Sequence, residues 1–286
     1  MKTIYEFRVV KKYAHLLFKK KECHEIGSDF IYVVYLDDKD PRLKEFPKIM
    51  NLVRRKNDSF FFSSWHMIHQ YSKKELYASL LLHIKINRMF EPCGEEQGDI
   101  YDDRMSCPIC GDNRKQISPL VLKYSSIPKT DISRTIADEV VVSERFVELC
   151  EKYHFTGASF KEINYLGRKK DRPIAYYQLI IPEAVIELSD KTIRGCNPFD
   201  LSDRSENEIY RCPNGHTVGL NLLSEVYIKP TEGNQYHDLN ATRQKFGVRR
   251  GLLNPYPLLI CSNRFMRMFK EERLKGLTFD RVHIEQ

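Results

Sequence analysis

The order of apolar and polar residues near the start of the chain predicts β-strands. Ile4 to Val10 and Phe30 to Leu36 are rich in β-branched and aromatic residues, and Gly27-Ser28 between them is typical of a turn. Asp37 to Pro41 is polar and breaks the pattern. A further short strand is expected at Phe60 to Phe62. The chain therefore begins with a strand-rich portion.

The first helix signal follows at Ser72-x-x-Glu75. This spacing is that of a capping box, in which the two side chains satisfy free backbone N–H groups at the start of a helix. The next apolar positions fall on one helical stripe, formed by Leu76, Leu80 and His83. The pattern predicts a helix near residues 72–85.

A repeat is the strongest pattern further along the chain. Residues 142–149, Val-Ser-Glu-Arg-Phe-Val-Glu-Leu, align with residues 261–268, Cys-Ser-Asn-Arg-Phe-Met-Arg-Met. The alignment continues without a gap through Gly157 to Phe160 and Gly276 to Phe279, at a constant offset of 119 residues. Two copies at one offset indicate that a module was duplicated.

Each copy predicts a strand, a helix and a second strand. Ser143 and Ser262 follow apolar runs at the position of a helix N-cap. Gly157 and Gly276 then release the chain from the helix into a strand. The copies lie near 139–163 and 258–282. A shared arginine, Arg145 or Arg264, is expected to serve the architecture, and a ligand site formed by the pair is the alternative.

The composition is that of a soluble globular protein. The chain has 286 residues, 42% of them hydrophobic and 30% charged, which is enough for one large domain or two smaller ones. We expect an N-terminal strand-rich region over residues 1–90 and a second region over 91–286, with a single continuous body as the alternative. The expected fold class is α+β, with the duplicated strand–helix–strand module joined through a zinc-ribbon-like element.

Charge and hydropathy indicate a cytoplasmic protein. The formal net charge is +7, but the basic residues occur in short clusters such as 19–21, 54–56 and 168–170, which favours solvated surface. No stretch approaches the length of a membrane-spanning helix, and the first residues lack the features of a signal peptide. With no export signal, reduced cysteines are the natural interpretation of the eight in the chain.

Two short segments have the composition of the halves of one zinc site. Cys107-Pro-Ile-Cys110-Gly and Cys212-Pro-Asn-Gly-His216 each begin with Cys-Pro and contain a glycine that closes the loop. Three thiolates and an imidazole would complete a tetrahedral Zn²⁺ shell without an open position, which is the form of a structural site. Cys196 is the alternative fourth ligand to His216, and a ribbon that has lost its metal is a further alternative.

Other chemical candidates are weaker. His66-x-x-His69 would place two imidazoles on one helical face. Acid pairs occur at Asp102-Asp103, Asp138-Glu139 and Asp203…Glu208, but scattered acids are common and the usual nucleotide-binding and hydrolase motifs are absent from the sequence. We therefore expect a protein without enzymatic activity.

Several blocks together resemble a known bacterial family. They are Tyr71–Leu76, Phe90–Glu96, Cys107–Gly111, Ile136–Arg145 and Gly157–Phe160. The set is similar to the double-CXXCG-motif proteins, which are regarded as immunity proteins of bacterial polymorphic toxin systems. The likeness covers roughly residues 70–284. In place of a second Cys-x-x-Cys-Gly this chain has Cys212-Pro-Asn-Gly-His216, so a Cys₃His site would replace Cys₄.

The resemblance implies a non-catalytic protein that binds and neutralises a cognate toxin inside the cell. Its net positive charge favours a toxin with an acidic contact surface, unless the acidic stretch 95–103 forms a local patch. A zinc-ribbon protein that binds nucleic acid is the alternative, since basic clusters could neutralise phosphates.

Overall fold

The computed structural model describes residues 1–57, 60–167, 170, 173–200, 211–231, 233 and 235–285. Within these ranges the protein is a strand-rich α+β structure with five helices and several sheets. The helices are α1 (Lys11–Ala14), α2 (Phe46–Asn57), α3 (Lys73–Ala78), α4 (Glu144–Lys152) and α5 (Asn263–Glu271). None of the helices in the described ranges has the length and apolar composition needed to cross a bilayer.

The strands in chain order are β1 (Lys2–Val10), β2 (His24–Glu25), β3 (Ile31–Asp37), β4 (Phe62–Gln70), β5 (Leu81–Ile86), β6 (Met89–Phe90), β7 (Tyr101–Asp102), β8 (Lys115–Gln116), β9 (Val121–Leu122), β10 (Ile132–Thr135), β11 (Val140–Ser143), β12 (Ser159–Glu162), β13 (Asn164–Tyr165), β14 (Tyr176–Ile180), β15 (Arg194–Gly195), β16 (Asn221–Leu222), β17 (Val226–Ile228), β18 (Leu239–Phe246), β19 (Tyr256–Ser262) and β20 (Leu277–Ile284).

The chain forms two compact units. The smaller unit combines Met1–Lys74 with Cys196–Asn207, and the larger unit combines Glu75–Gly195 with Glu208–Gln286. By this division β5 and β6 belong to the larger unit, whereas the sequence-based division placed them in region 1–90. Each unit is therefore assembled from two separate stretches of the chain.

The smaller unit is a four-stranded sheet in the order β2-β3-β1-β4, with an aromatic core. Phe7 of β1 lies opposite Val34 of β3 and Trp65 of β4. Phe7 and Phe46 of α2 are fully buried, and their ring centroids are 4.2 Å apart. The second stretch of the unit contributes to this core directly, because the ring of Phe199 lies 5.0 Å from that of Phe7.

The histidine pair of this unit is on a strand, so the predicted helical arrangement of His66 and His69 is wrong. Both residues belong to β4, where His66 pairs with Glu6 and His69 with Thr3 of β1. Successive side chains of a strand point to opposite faces, so residues three apart do not share a face. The spacing that suggested one metal-binding face therefore separates the two imidazoles.

The helix predicted near 72–85 is present only in its first half. It begins at Lys73, directly after Ser72, but α3 ends at Ala78 and β5 starts at Leu81. Leu80 is 61% exposed, and His83 belongs to the strand. The second half forms a strand because its residues pair with β19 on one side, from Leu81 to Ile84, and with β20 on the other, from Leu82 to Ile86.

The larger unit contains two five-stranded sheets. Their strand orders are β12-β14-β11-β10-β6 and β17-β20-β5-β19-β18. The first sheet holds the strands that flank α4, and the second holds those that flank α5. In both sheets these flanking strands are separated by one antiparallel strand, which is β14 in the first sheet and β5 in the second.

The two repeat segments have the predicted order of strand, helix and strand. The hydroxyl oxygen of Ser143 accepts a hydrogen bond from the backbone N–H of Phe146 at 3.2 Å. That of Ser262 accepts one from the N–H of Phe265 at 3.1 Å. Each serine thus satisfies one of the free donors at the start of its helix, as the sequence predicts.

The middle strands sit in matching registers. In the first sheet Val142 pairs with Tyr177, and in the second sheet Cys261 pairs with Leu82. The same relation holds for Phe160 with Leu179 and for Phe279 with Ile84. The repeat residues differ by 119 in number and their partners on the middle strand by 95. The first segment receives its middle strand from downstream, whereas the second receives it from far upstream.

The two segments pack against each other through equivalent residues. The rings of Phe146 and Phe265 lie 5.9 Å apart in one shared core that contains both helices. The backbone N–H of Leu239 donates to the carbonyl oxygen of Thr156 at 3.0 Å, and that of Ile132 donates to Lys275 at 3.2 Å. Each contact therefore joins a strand that pairs with one segment, β18 or β10, to the helix–strand turn of the other segment.

Candidate metal centre

Three cysteines and one histidine converge in the larger unit. The ligand atoms of Cys107, Cys110, Cys212 and His216 all lie within 4.8 Å of one another. The Sγ atoms of Cys107 and Cys212 are 3.8 Å apart, and His216 Nδ1 is 3.8 Å from Cys110 Sγ and 3.7 Å from Cys212 Sγ. Ligands about 2.3 Å from a tetrahedral Zn²⁺ would be about 3.8 Å apart. The four residues could therefore bind such an ion.

The first half of the group is a tight loop between β7 and β8, which pair as an antiparallel hairpin. The backbone N–H of Cys107 donates to the carbonyl oxygen of Asp112 at 2.7 Å, and the N–H of Gly111 donates to Cys107 at 2.8 Å. These bonds close the loop around Pro108 and hold the two thiols on one side. The local sequence thus positions two ligands.

The second half is a loop of the same length. The N–H of Cys212 donates to the carbonyl oxygen of Thr217 at 3.3 Å, and the N–H of Gly215 donates to Cys212 at 2.9 Å. Arg211 and Val218 form a bridge at the mouth of the loop. The two loops, which we call the first and second knuckle, are therefore built alike. In the second knuckle His216 comes four residues after the cysteine that starts the loop, whereas in the first Cys110 comes three residues after it.

The chain near β18 connects the two halves. The N–H of Lys245 donates to the carbonyl oxygen of His216 at 2.9 Å, and the N–H of Arg249 donates to that of Cys110 at 2.9 Å. The Lys245 ammonium also pairs with the buried carboxylate of Asp112. These contacts align the two halves through the protein itself.

Burial and backbone donors act in opposite directions on the thiols. The three cysteines are buried and His216 is partly exposed. Backbone N–H groups of Cys110 and Ile109 lower the pKa of Cys107 to about 6. Burial raises the pKa of Cys110 to about 12. A bound Zn²⁺ would favour the thiolate at each cysteine, because the ion is the largest charge in such a site.

The alternative fourth ligand is not part of this group. Cys196 belongs to the stretch assigned to the smaller unit and is not among the four residues whose ligand atoms converge. His216 is therefore the residue that the structure places with the three cysteines.

The acidic stretch 95–103 is largely neutralised by arginines. Arg114 donates to Glu95 at 2.7 Å and to Asp103 at 2.8 Å, and Arg249 donates to Asp103 at 3.0 Å. Arg104 pairs with Asp102 at 2.7 Å. The stretch thus surrounds the first knuckle with ion pairs, and its charge does not form a separate acidic patch.

One acid pair noted in the sequence is a buried structural network. The carboxylate of Glu139 accepts hydrogen bonds from the Tyr101 hydroxyl at 2.6 Å, the Thr135 hydroxyl at 2.6 Å and the Gly94 N–H at 3.0 Å. Its neighbour Asp138 pairs with Arg134 at 2.6 Å. The network joins distant segments, which is why no spacing in the sequence reveals it. Asp203 and Glu208 lie outside the described residues.

The repeated arginines bind parts of the protein itself. Arg145 donates to the carbonyl oxygen of Glu272 at 2.6 Å. Arg264 pairs with Asp238 at 2.7 Å. Arg264 also donates to the carbonyl oxygen of His154 at 3.3 Å, so each arginine links the helix of its own segment to the end of the helix of the other, in keeping with the expected architectural role.

No known protein family and no curated protein matches this chain.

Proposed function

We propose that Cys107, Cys110, Cys212 and His216 hold a structural Zn²⁺. The proposal is carried by the convergence of four N/S ligand atoms at tetrahedral spacing on two loops that are 105 residues apart at Cys107 and Cys212. Four protein ligands leave no position for a substrate or an activated water. The ion acts as a clip, and its binding free energy contributes to folding.

Removing one ligand tests the clip. Cys107→Ser and Cys212→Ser should each lower the melting temperature by roughly 5 °C or more. This shift corresponds to a loss of about 2 kcal/mol in the free energy of unfolding, because a protein of this size loses about 2–4 °C per kcal/mol. Cys23→Ser is the matched control, because Cys23 is a partly exposed cysteine of the other unit. Wild-type melting of both ligand variants would contradict the clip.

We propose further that the two segments of the larger unit arose by duplication. The constant offset of 119 residues between their aligned positions supports this origin, as do the matching registers of the middle strands. A duplicated module of strand, helix and strand is a scaffold, and the zinc-ribbon-like element joins the stretches of chain on either side of the first copy.

We propose that the protein is a cytoplasmic, non-enzymatic immunity protein that binds and neutralises a cognate bacterial toxin. The support is the family resemblance, and two of its blocks contact each other in this structure. Gly94 of one block donates to Glu139 of another, and the block 136–145 contains β11 and the cap of α4. The blocks therefore describe a shared scaffold, on which exposed residues are left to recognise the partner.

The protein encoded beside this chain provides the test of the immunity proposal. A toxin domain from that neighbouring product should be retained by the immobilised full chain and lose its toxicity when the two are co-expressed. Because the net charge is +7, we expect an acidic contact surface on the toxin and weaker binding at high salt. Absence of both retention and protection would contradict immunity.

The nucleic-acid alternative is tested by a salt titration with random DNA and RNA. Some basic clusters are already paired within the protein, since Arg54 binds Asp200 at 2.6 Å and Arg249 binds Asp103. We therefore expect no binding tighter than the millimolar range at physiological salt. Micromolar affinity that falls steeply with salt would favour the alternative.

A further inference from the structure

The equivalent faces of α4 and α5 carry opposite charges. At the repeat offset of 119, Glu144 corresponds to Asn263, Glu148 to Arg267 and Glu151 to Lys270. The apolar residues beside them also correspond: Val147 to Met266, Phe160 to Phe279 and, through the matching strand registers, Tyr177 to Leu82. Each helix therefore borders a comparable groove above its sheet.

The groove beside α5 is filled by the chain itself. Tyr77 of α3 lies in it, with the Arg267 guanidinium 4.8 Å and the Lys270 ammonium 5.5 Å from its ring centroid. The side-chain amide of Asn263 donates to the carbonyl oxygens of Leu76 at 3.0 Å and Ser79 at 2.7 Å. This cover leaves Met266 and Leu82 fully buried.

The groove beside α4 is a cavity of about 330 Å³. Its lining consists of Glu144, Val147, Glu148, Glu151, Phe160 and Tyr177. Phe160 and Tyr177 are only partly buried, in contrast to their counterparts at the α5 groove. Within the described residues, no cationic side chain pairs with any of the three glutamates.

The sequence carries two charged residues at the positions that correspond to this cover. When the offset of 95 between the middle strands is counted back along the chain, Leu76 and Tyr77 correspond to Asp171 and Arg172, two residues that lie outside the described ranges. No aliphatic or aromatic side chain is therefore available at the positions that fill the α5 groove. An occupant of the α4 groove has to bring its own apolar surface.

We propose that the groove lined by Glu148, Glu151, Phe160 and Tyr177 binds a lysine- or arginine-bearing segment of a partner protein. The aliphatic stem of the cation would lie on the two rings, and its charged head would reach the carboxylates. A cation close to the Tyr177 ring gains a further attraction to its face. The inference rests on the two grooves alone and is independent of the immunity proposal.

The charges that line the groove favour a positively charged partner segment. Burial, with the carboxylates of Glu144, Glu162, Glu151 and Glu148 adding to it, raises the pKa of Tyr177, so the ring faces a field that favours positive charge. The three carboxylates lie on successive turns of one helix face, which matches a segment with cations spaced along its length. A local acidic groove on a chain of net charge +7 would also give a basic partner one preferred place to bind.

A labelled peptide tests the groove on the full-length protein. The probe is a fluorescein-labelled octapeptide of alternating arginine and tyrosine, followed by fluorescence anisotropy, and the matched peptide has glutamate in place of arginine. The variant Glu148→Arg/Glu151→Lys installs the residues found at the α5 groove. The control Glu183→Lys/Glu271→Lys makes the same change in net charge at two exposed glutamates elsewhere.

We expect the arginine peptide to bind the wild type and the control alike, and to bind the groove variant at least ten-fold more weakly. The glutamate peptide should not bind. The methyl resonances of Val147 should shift on addition of the arginine peptide, which places the peptide at the groove. Circular dichroism that matches the wild type would show that the groove variant is folded.

Three results would overturn the proposal. Equal weakening in the groove variant and the control would show that only net charge matters. An affinity that rises ten-fold when Arg168, Lys169 and Arg172 are changed to glutamine would show that the chain's own basic stretch occupies the groove. A dimer in sedimentation that dissociates only in the groove variant would show that a second copy of the chain does so.

Discussion

Ser143 and Ser262 show how much one side chain can determine at the start of a helix. Each accepts a backbone hydrogen bond from the third residue after it, and each donates its hydroxyl hydrogen to an aspartate, Asp131 at 3.1 Å or Asp238 at 2.7 Å. The cap was predictable because it depends on local spacing. The aspartate partner was not, because it lies just before another strand, β10 or β18.

Two glycines at the ends of these helices test the packing between the segments. A Cβ on Gly157 would lie 2.0 Å from the Leu239 carbonyl oxygen, and one on Gly276 would lie 2.1 Å from that of Ile132. Both also have positive φ, at +91° and +115°. Alanine at either position should therefore destabilise the protein by about 2–4 kcal/mol in chemical denaturation, from backbone strain and overpacking together.

Gly98→Ala is the matched control for that measurement. Gly98 has a φ of +99° but nothing within 4 Å of the position a Cβ would take. It should show only the backbone term, about 1 kcal/mol. If Gly157→Ala and Gly98→Ala cost the same, the close approach to Leu239 is not present in solution.

A buried carboxyl gives a pH dependence with a definite sign. Burial, followed by the nearby Glu139 carboxylate, raises the pKa of Asp99 to about 6 from its usual 3.8. The folded protein then holds this proton more tightly than the unfolded chain does. The stabilising contribution is therefore complete below about pH 4 and is lost as the pH rises towards 6.

Asp99→Asn isolates this effect. The free energy of unfolding of the wild type, relative to the variant, should fall by up to about 3 kcal/mol between pH 4 and pH 6.5, because each unit of pKa shift is worth about 1.4 kcal/mol. Asp103→Asn provides the comparison, since arginines lower the pKa of Asp103. A pH-independent difference between wild type and Asp99→Asn would contradict the raised pKa.

At the scale of elements, pairing with distant strands overrides local periodicity. The stripe Leu76, Leu80, His83 fits a helix, but β5 is held between β19 and β20, whose residues lie more than 170 positions later in the chain. In the same way β4 pairs with β1 and takes His66 and His69 out of a helical arrangement. Local spacing therefore identified the starts of elements, and tertiary pairing decided their type and end.

Substitutions at two leucines distinguish the observed strand β5 from the helix predicted at the same residues. Leu82 is fully buried in the middle of the sheet, whereas Leu80 is 61% exposed. Leu82→Ala should cost about 2–5 kcal/mol in the free energy of unfolding, and Leu80→Ala less than about 0.5 kcal/mol. A substantial cost at Leu80 would instead indicate that the helical stripe is buried.

At the scale of the whole molecule, the local segments can be predicted from the sequence, but the way in which distant strands complete their sheets cannot. The strand–helix–strand order of the two segments and the convergence of Cys107, Cys110, Cys212 and His216 were predictable because each follows from residues at a short, fixed spacing. The insertion of the middle strands β5 and β14, which come from outside the two segments, was not, because neither strand carries a sequence signal of its partner. The division into Met1–Lys74 with Cys196–Asn207, and the rest, was hidden for the same reason.

The two knuckles are local loops with a long-range effect, since they bring together the stretches of chain before and after the first repeat segment. Their loops are set by local hydrogen bonds, and the chain near β18 aligns them through Lys245 and Arg249. A metal ion at this point would fix the ends of the first segment and the scaffold as a whole. The structural zinc is therefore the central claim for this molecule.

Zinc content of the purified full-length protein tests that claim most directly. Elemental analysis after gel filtration should give one zinc per chain for the wild type and for Cys196→Ser, and well below half of that for Cys212→Ser and His216→Ala. Cys196→Ser is informative because Cys196 is the ligand that the sequence offered in place of His216. Less than stoichiometric zinc in the wild type, or full zinc in Cys212→Ser, would contradict the account.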